Sequence, residues 1–165
     1  MTPKGCRDAA AQGEILKREH VFERGLKTFS SPQLCAQATA DIALEICGGP
    51  HTHDQRLVDV VQGAWEGLSV DEIAAGWPDI YNSKADDICW YFGIPTGETV
   101  QSVYARATAL LDSLSGPTII VTHGITSHIL RGLWLGPDLQ GAAALRGGQG
   151  WVHHLKDGKH HTLTL

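Results

Sequence analysis

The stretch PTIIVTHGITSHILRG, residues 117–132, constrains the fold more than any other part of the chain. Thr118 to Thr122 form a short β-branched run of the kind a parallel sheet buries on both faces. His123 and Gly124 follow at once, and a helical pattern then covers residues 125–135. A core strand that passes directly into a helix implies a sheet covered by helices. It also sets His123 at the carboxyl end of a strand and the mouth of a helix, where ligands of open α/β sheets gather.

The remaining sequence alternates in the same way, without an internal repeat or a low-complexity linker. Thr2-Pro3 supplies a cap and a first-turn proline for a helix running to about Glu19. LKTFS, residues 26–30, reads as a strand. Ser31-Pro32 opens a second helix with an apolar stripe at Leu34, Ala38, Ile42 and Ile46, and Gly48-Gly49-Pro50 ends it. Residues 50–97 are irregular and rich in tryptophan, glycine and proline. Within them Ser69 and Glu72 form a capping box for a helix stopped by Gly76 and Pro78. Thr99 to Ser115 reads as a longer helix with Val100, Val103, Ala107, Leu110, Leu111 and Leu114 on one side. Asp157-Gly158 suits a two-residue type I′ turn between GWVHHLK and KHHTLTL. The class is α/β with a mostly parallel sheet.

Bulk properties narrow the function. A chain of 165 residues is expected to form one domain and to bury about 70% of its unfolded surface. Net charge is −5 and no basic cluster stands out, which argues against nucleic acid or an anionic membrane as partner. No apolar run reaches the length of a spanning helix, and the N-terminus lacks a signal-peptide core. Cys6, Cys35, Cys47 and Cys89 make no CxxC pair, so free thiols and a cytoplasmic location are expected.

His123 is the first candidate for chemistry. The helix N-terminus behind it favours an anion, and Gly124 lets a ligand approach the backbone. Ser31 stands at a second strand-to-helix junction, so its hydroxyl and nearby N–H groups are candidates to line the same pocket. Read without further context, His123 is equally a capping or packing residue. For a proton donor, Asp59 inside the apolar LVDVV fits a partly buried carboxyl better than Asp54 does. In the hairpin His154 stands opposite His161, a pair that a divalent metal would bridge, but solvated histidines are the commoner case and no metal site is expected. His51 and His53 read as solvated loop residues. Trp65, Trp77 and Trp90 read as core packing before they read as a cleft wall.

Four segments in this order carry a resemblance: SSPQLCAQATA at 30–40, DQRLVDVVQGAWEG at 54–67, PTGET at 95–99 and VTHG at 121–124. TPKG at 2–5 adds a fifth. Together they resemble the histidine phosphatase superfamily, also called phosphoglycerate mutase-like, over nearly the whole chain. The resemblance implies a three-layer α/β/α sandwich. It implies hydrolysis or transfer of the phosphoryl group of a small phosphorylated metabolite through a phosphohistidine, without a cofactor. An Arg-His-Gly histidine attacks phosphorus, two arginines and a second histidine hold the phosphoryl oxygens, and a carboxylic acid protonates the leaving group. On this mapping His123 is the second histidine and Asp59 the acid, Ser31 and Gly124 are phosphate-binding, and Glu66 is the runner-up acid with a structural role preferred.

Two departures matter. The Arg-His-Gly segment is absent from the sequence given, and Met1 falls where the family has a leucine before TPKG. The second arginine is expected four residues after the serine of SSP, where this chain has Cys35. A thiol offers one weak donor in place of a charged fork. One reading is therefore a histidine phosphatase that is truncated and inactive as given, and the other a non-catalytic pseudophosphatase that binds a phosphorylated ligand or a protein. In the family the Arg-His-Gly strand is central and lies beside the strand matching Thr118–Thr122. Its absence predicts an open edge there, facing the start of the hairpin near Gly150–Leu155, and a homo-oligomer as one way to cover it.

Overall fold

The computed structural model describes residues 1–21, 25–82, 88–136 and 139–165. Helix α1 (Pro3–Arg18) starts as its sequence directs: Pro3 occupies the first turn and the Thr2 hydroxyl accepts the Gly5 N–H at 3.1 Å. Strand β1 (Lys27–Ser30), helix α2 (Leu34–Cys47) and the short strand β2 (Thr52–His53) follow. Helix α3 (Val70–Gly76) carries both bonds of the Ser69–Glu72 capping box, and α4 (Pro78–Asn82) comes directly after it. Helix α5 (Val100–Ser113) is capped by the Thr99 hydroxyl and buries Val103, Ala107 and Leu110. Strand β3 (Thr118–Val121) leads into α6 (Gly124–Leu135), then α7 (Leu139–Ala143) and a hairpin of β4 (Val152–Lys156) and β5 (Lys159–Leu163). Asp157 and Gly158 in its turn have φ of 51° and 70°, the left-handed pair a type I′ turn demands.

Strands β2, β1 and β3 form a parallel sheet in that order, with Phe29 opposite Ile120 and Ser30 opposite Val121. Alternation along the strands splits the core into two layers. Phe29 and Ile120 pack on one face against Val103, Ala107 and Leu110 of α5 and Ile129 and Leu130 of α6. Ile119 and Val121 pack on the other against Leu16 of α1 and Ala40, Leu44 and Cys47 of α2. Helices therefore cover both sheet faces in the expected α/β/α order. Helix α1 crosses α2 at Gly13, where an added Cβ would lie 2.6 Å from the Ala43 carbonyl oxygen and 3.0 Å from its Cα.

The α2 stripe is a correction. Leu34 is 82% exposed, and the buried residues are Ala36, Ala40, Ala43, Leu44 and Cys47. The helix is gripped between sheet and α1, and small residues on that side let the backbones approach. The helix also begins two residues later than expected, with Gln33 as its cap, while the Ser31 hydroxyl accepts the Gln33 N–H at 3.2 Å. Among the tryptophans the packing expectation holds. Trp65 is buried with ring centroids 6.2 Å from Trp77 and 4.9 Å from Trp90, over Ile73 and Ile94.

Strand β3 hydrogen-bonds to β1 alone and β4 to β5 alone, so among the described residues the two sheets share no ladder. Val152 of β4 nevertheless packs into the same apolar cluster as Ile119 and Val121. In the irregular segment, residues 61–64 and 95–98 are joined by Ala64 N–H to the Pro95 carbonyl at 3.0 Å and Glu98 N–H to the Val61 carbonyl at 2.9 Å. Gly63, with φ of 49°, fits there because a Cβ would lie 2.4 Å from the Gly97 nitrogen. Free thiols are seen at Cys6, Cys35 and Cys47, while the Cys89 side chain and part of the 76–95 loop lie outside the described residues.

Candidate functional site

The parallel ladder continues one residue past β1, with the Ser31 N–H on the Val121 carbonyl at 2.9 Å. That bond sets Ser31 beside the β3–α6 junction. His123 is the cap residue of α6 in extended backbone, yet its side chain makes no capping bond. The ring instead crosses to β1, and its Nε2 lies 2.8 Å from the Ser31 Oγ. Nδ1 lies 3.7 Å from the thiol of Cys35, the second residue of α2. The His123 side chain thus does not cap α6, and residues at the N-termini of two helices meet at one imidazole.

Free donors surround it. The first helical bond of α6 runs from Ser127 N–H to the His123 carbonyl at 2.8 Å, leaving the N–H groups of Gly124, Ile125 and Thr126 without a helical acceptor. Gly124 is exposed and a Cβ there would meet nothing within 4 Å, so approach from solvent is open.

Asp59 reaches the same neighbourhood through Gln33. The Gln33 N–H donates to the Ser31 hydroxyl at 3.2 Å, and the Gln33 Oε1 accepts the Asp59 N–H at 2.7 Å. The Asp59 carboxylate accepts the N–H of Val60 at 3.0 Å. Two threonines of the junction hold the backbone just before it: the Thr122 hydroxyl donates to the Leu57 carbonyl at 2.7 Å and that of Thr126 to Val58 at 2.8 Å. Behind them Arg106 forks onto Glu98 at 3.0 and 3.1 Å and donates to the Thr126 hydroxyl at 3.4 Å.

Burial pushes the His123 pKa below its ordinary value, the charge of Asp59 opposes this, and the positive charge of Arg106 adds to it. In its neutral form the ring has one N–H, which it can direct either to Ser31 or to Cys35. Burial works to raise the Glu98 pKa, but hydrogen bonds and charge from Arg106 hold it below the usual carboxylate range. Asp54 pairs with Arg56, which lowers its pKa, and caps a short turn, so it is committed to structure. Glu66 is exposed and accepts the Gln62 N–H at 3.1 Å, closing its own turn.

Sequence reasoning overlooked Gln33, Thr126 and Arg106. Arg106 had a signal, being the one cation on α5 and eight residues from the Glu98 of PTGET. His51 is also a correction. Its side chain is 15% exposed and bridges the Ser30 hydroxyl at 2.7 Å and Asp41 at 2.9 Å. In the hairpin His154 does stand opposite His161, but the close pair is His153 Nδ1 and His160 Nε2 at 2.9 Å. Among the described residues no cluster of three or more metal-ligating side chains is present. No helix there is long and apolar enough to cross a membrane.

An imidazole, a buried hydroxyl and the free N–H groups at the start of α6 are donors of the kind an oxyanion can accept from. The sequence matches the profile of the histidine phosphatase superfamily, branch 1, over residues 1–162. This chain belongs to the histidine phosphatase superfamily. Curated proteins yield no sequence match. Solved structures do. YhfR of Bacillus stearothermophilus is similar with a TM-score of 0.75 and 25% identity, over 99% of this chain and 83% of that one. A mycobacterial glucosyl-3-phosphoglycerate phosphatase in complex with inorganic phosphate gives 0.72 and 25%, over 93% and 80%. A putative alpha-ribazole-5'-P phosphatase from Escherichia coli gives 0.75 at 18% identity, over 100% and 82%, and speaks to the fold alone. Within this superfamily setting, the residue beside His123 Nδ1 is the Cys35 thiol.

Proposed function

We propose that the His123 pocket recognises the phosphoryl group of a small phosphorylated metabolite, and that residues 1–165 by themselves do not turn it over. The recognition reading is carried by the 2.8 Å approach of His123 Nε2 to Ser31, which brings two helix N-termini to one point. Asp59 stands at the position of the proton donor, Ser31 and Gly124 contact the phosphoryl oxygens, and the whole of 1–165 acts as a single domain. The inactive reading rests on chemistry. The sequence has no Arg-His-Gly histidine to attack phosphorus, and losing a nucleophile removes the covalent route. Cys35 supplies no charge to the phosphoryl oxygens, and loss of one such donor typically costs about 10²–10³ in rate.

A second reading, a pseudophosphatase that binds its ligand for non-catalytic ends, is favoured by Cys35 specifically. A missing upstream segment does not account for a thiol inside the chain. p-Nitrophenyl phosphate turnover separates activity from inactivity: release no faster than a protein blank is expected from pH 4 to 9. Hydrolysis that disappears in His123→Ala would falsify the proposal. Phosphate titration followed on the His123 imidazole tests recognition, with millimolar binding expected and an unresponsive ring counting against it.

A further inference from the structure

A separate set of donors gathers where α6, the 145–151 loop and the hairpin meet. Arg131 of α6 is 4% exposed. Its Nε donates to the Ser127 carbonyl at 3.2 Å and one terminal nitrogen to the Arg146 carbonyl at 2.9 Å. Neither Arg131 nor Arg146 forms an ion pair with any described carboxylate. Buried guanidinium groups are ordinarily matched by a negative partner, because leaving the charge unpaired in a low-dielectric site is costly.

The surroundings add donors and cations. The Arg146 guanidinium lies 4.3 Å from the centre of the Trp151 ring. The indole N–H of Trp151 is buried and has no acceptor. His128 sets its two ring nitrogens 2.8 Å from the Gly124 carbonyl and 2.9 Å from that of Leu145, so its N–H is directed to a backbone oxygen in either tautomer. Burial first, then the positive charges of Arg131, His160, His128 and Arg146, push the pKa of His153 down to about 4, and no carboxylate offsets them. Among the described residues the cluster thus holds a guanidinium without a carboxylate partner and an indole N–H without an acceptor. Asp8 of α1 lies beside Gly150 with its Oδ1 nearest, and its Oδ2 is bonded to Lys4.

We propose that this face is a second oxyanion site, taking a small phosphate- or carboxylate-bearing ion against Arg131, Arg146 and the Trp151 indole N–H. An oxyanion offers several acceptor lone pairs at once, which both guanidinium groups and the indole can share. The site is distinct from the His123 pocket, since Arg131 lies eight residues or about 12 Å further along α6. Arg146 and the loop glycines 147 and 148 are exposed, so the ion enters from solvent. The close His153–His160 nitrogens suggest a metal instead, but the two arginines repel a cation there.

The test follows the Trp151 indole N–H by NMR in the full chain, assigned by its loss in Trp151→Phe. Sodium phosphate and sodium acetate are titrated separately against sodium chloride at constant ionic strength. A saturable shift with phosphate alone identifies a phosphate-type ligand, and one with both identifies oxyanions generally; either supports the site. The shift must persist in His123→Ala, which separates it from the pocket above. Arg146→Gln, at an exposed position that spares the fold, is expected to weaken binding about tenfold, as loss of one charged hydrogen-bonding partner does. An immobile indole overturns the proposal. So does a shift abolished by His123→Ala, an unchanged affinity in Arg146→Gln, or a response of His153 and His160 to zinc with none to either anion.

Discussion

The Cys35 thiol and the Ser31 hydroxyl address opposite nitrogens of one ring, at 3.7 Å from His123 Nδ1 and 2.8 Å from Nε2. Ser31 is fully buried and fixed, whereas Cys35 is exposed at the start of α2 with room around it. The pocket is therefore rigid on one side and open to redesign on the other.

Cys35→Arg exploits that room. A guanidinium there adds charged hydrogen bonds worth about 1.5–3 kcal/mol, so phosphate affinity should rise roughly 10- to 150-fold. Titration at fixed ionic strength measures it. Turnover should stay absent, since no nucleophile has been added. An unchanged affinity would mean that position 35 does not face the bound anion.

Acid should destabilise the fold earlier than carboxylate chemistry alone requires. Burial leads in depressing His123, His153 and His160, with His153 near 4. An unfolded imidazole titrates near 6.5. Below about 6.5 the unfolded chain therefore binds protons the folded one refuses, and stability falls as pH drops toward 4. The depressed Glu98 extends the loss to lower pH. Urea midpoints are expected to decrease from pH 7.5 to 5, with a shallower slope in His153→Gln. A flat profile would contradict the neutral burial of these rings.

Gly13→Ala gives a sign test of the α1–α2 crossing. In an exposed helix this change gains up to about 1 kcal/mol. Here the new methyl would meet backbone of Ala43 at 2.6 Å, and overpacking typically costs about 1–3 kcal/mol. The melting temperature should drop. A rise would show that the helices do not touch there.

The unshared edge of β3 should make the chain associate. An unpaired strand flank is a template for another chain, and the four residues of β3 leave several groups at roughly 1–3 kcal/mol each if they are buried unmet. Size-exclusion chromatography is expected to show oligomers or poor recovery, and a version with an added first strand should melt higher. A sharp, high-melting monomer would sink this expectation.

Elements governed by neighbouring residues were legible in the sequence. Thr2-Pro3, the Ser69–Glu72 box, Thr99 and Asp157-Gly158 all act within a few residues, and each forms as written. Helix α2 shows the limit. Leu34, Ala38, Ile42 and Ile46 satisfy a four-residue spacing, yet Leu34 is exposed and the most buried face carries Ala36, Ala40, Ala43, Leu44 and Cys47, with Ala43 and Ile46 both against Gly13 of a distant helix. The site divides likewise. His123 and Ser31 were visible from strand-to-helix junctions, whereas Gln33, Thr126 and Arg106 acquire meaning only when the 57–60 backbone folds over them.

The contact of Gly63 with Gly97 has a mechanical consequence. With 61–64 stitched to 95–98, the segment bearing Asp59 and the one bearing Glu98 travel as a single plate, and Arg106 is its rivet to α5. Sliding the acid toward the imidazole would drag the Glu98–Arg106 pair with it. Reach can then be gained cheaply only within the side chain, so Asp59→Glu lengthens the arm while the plate stays where it is.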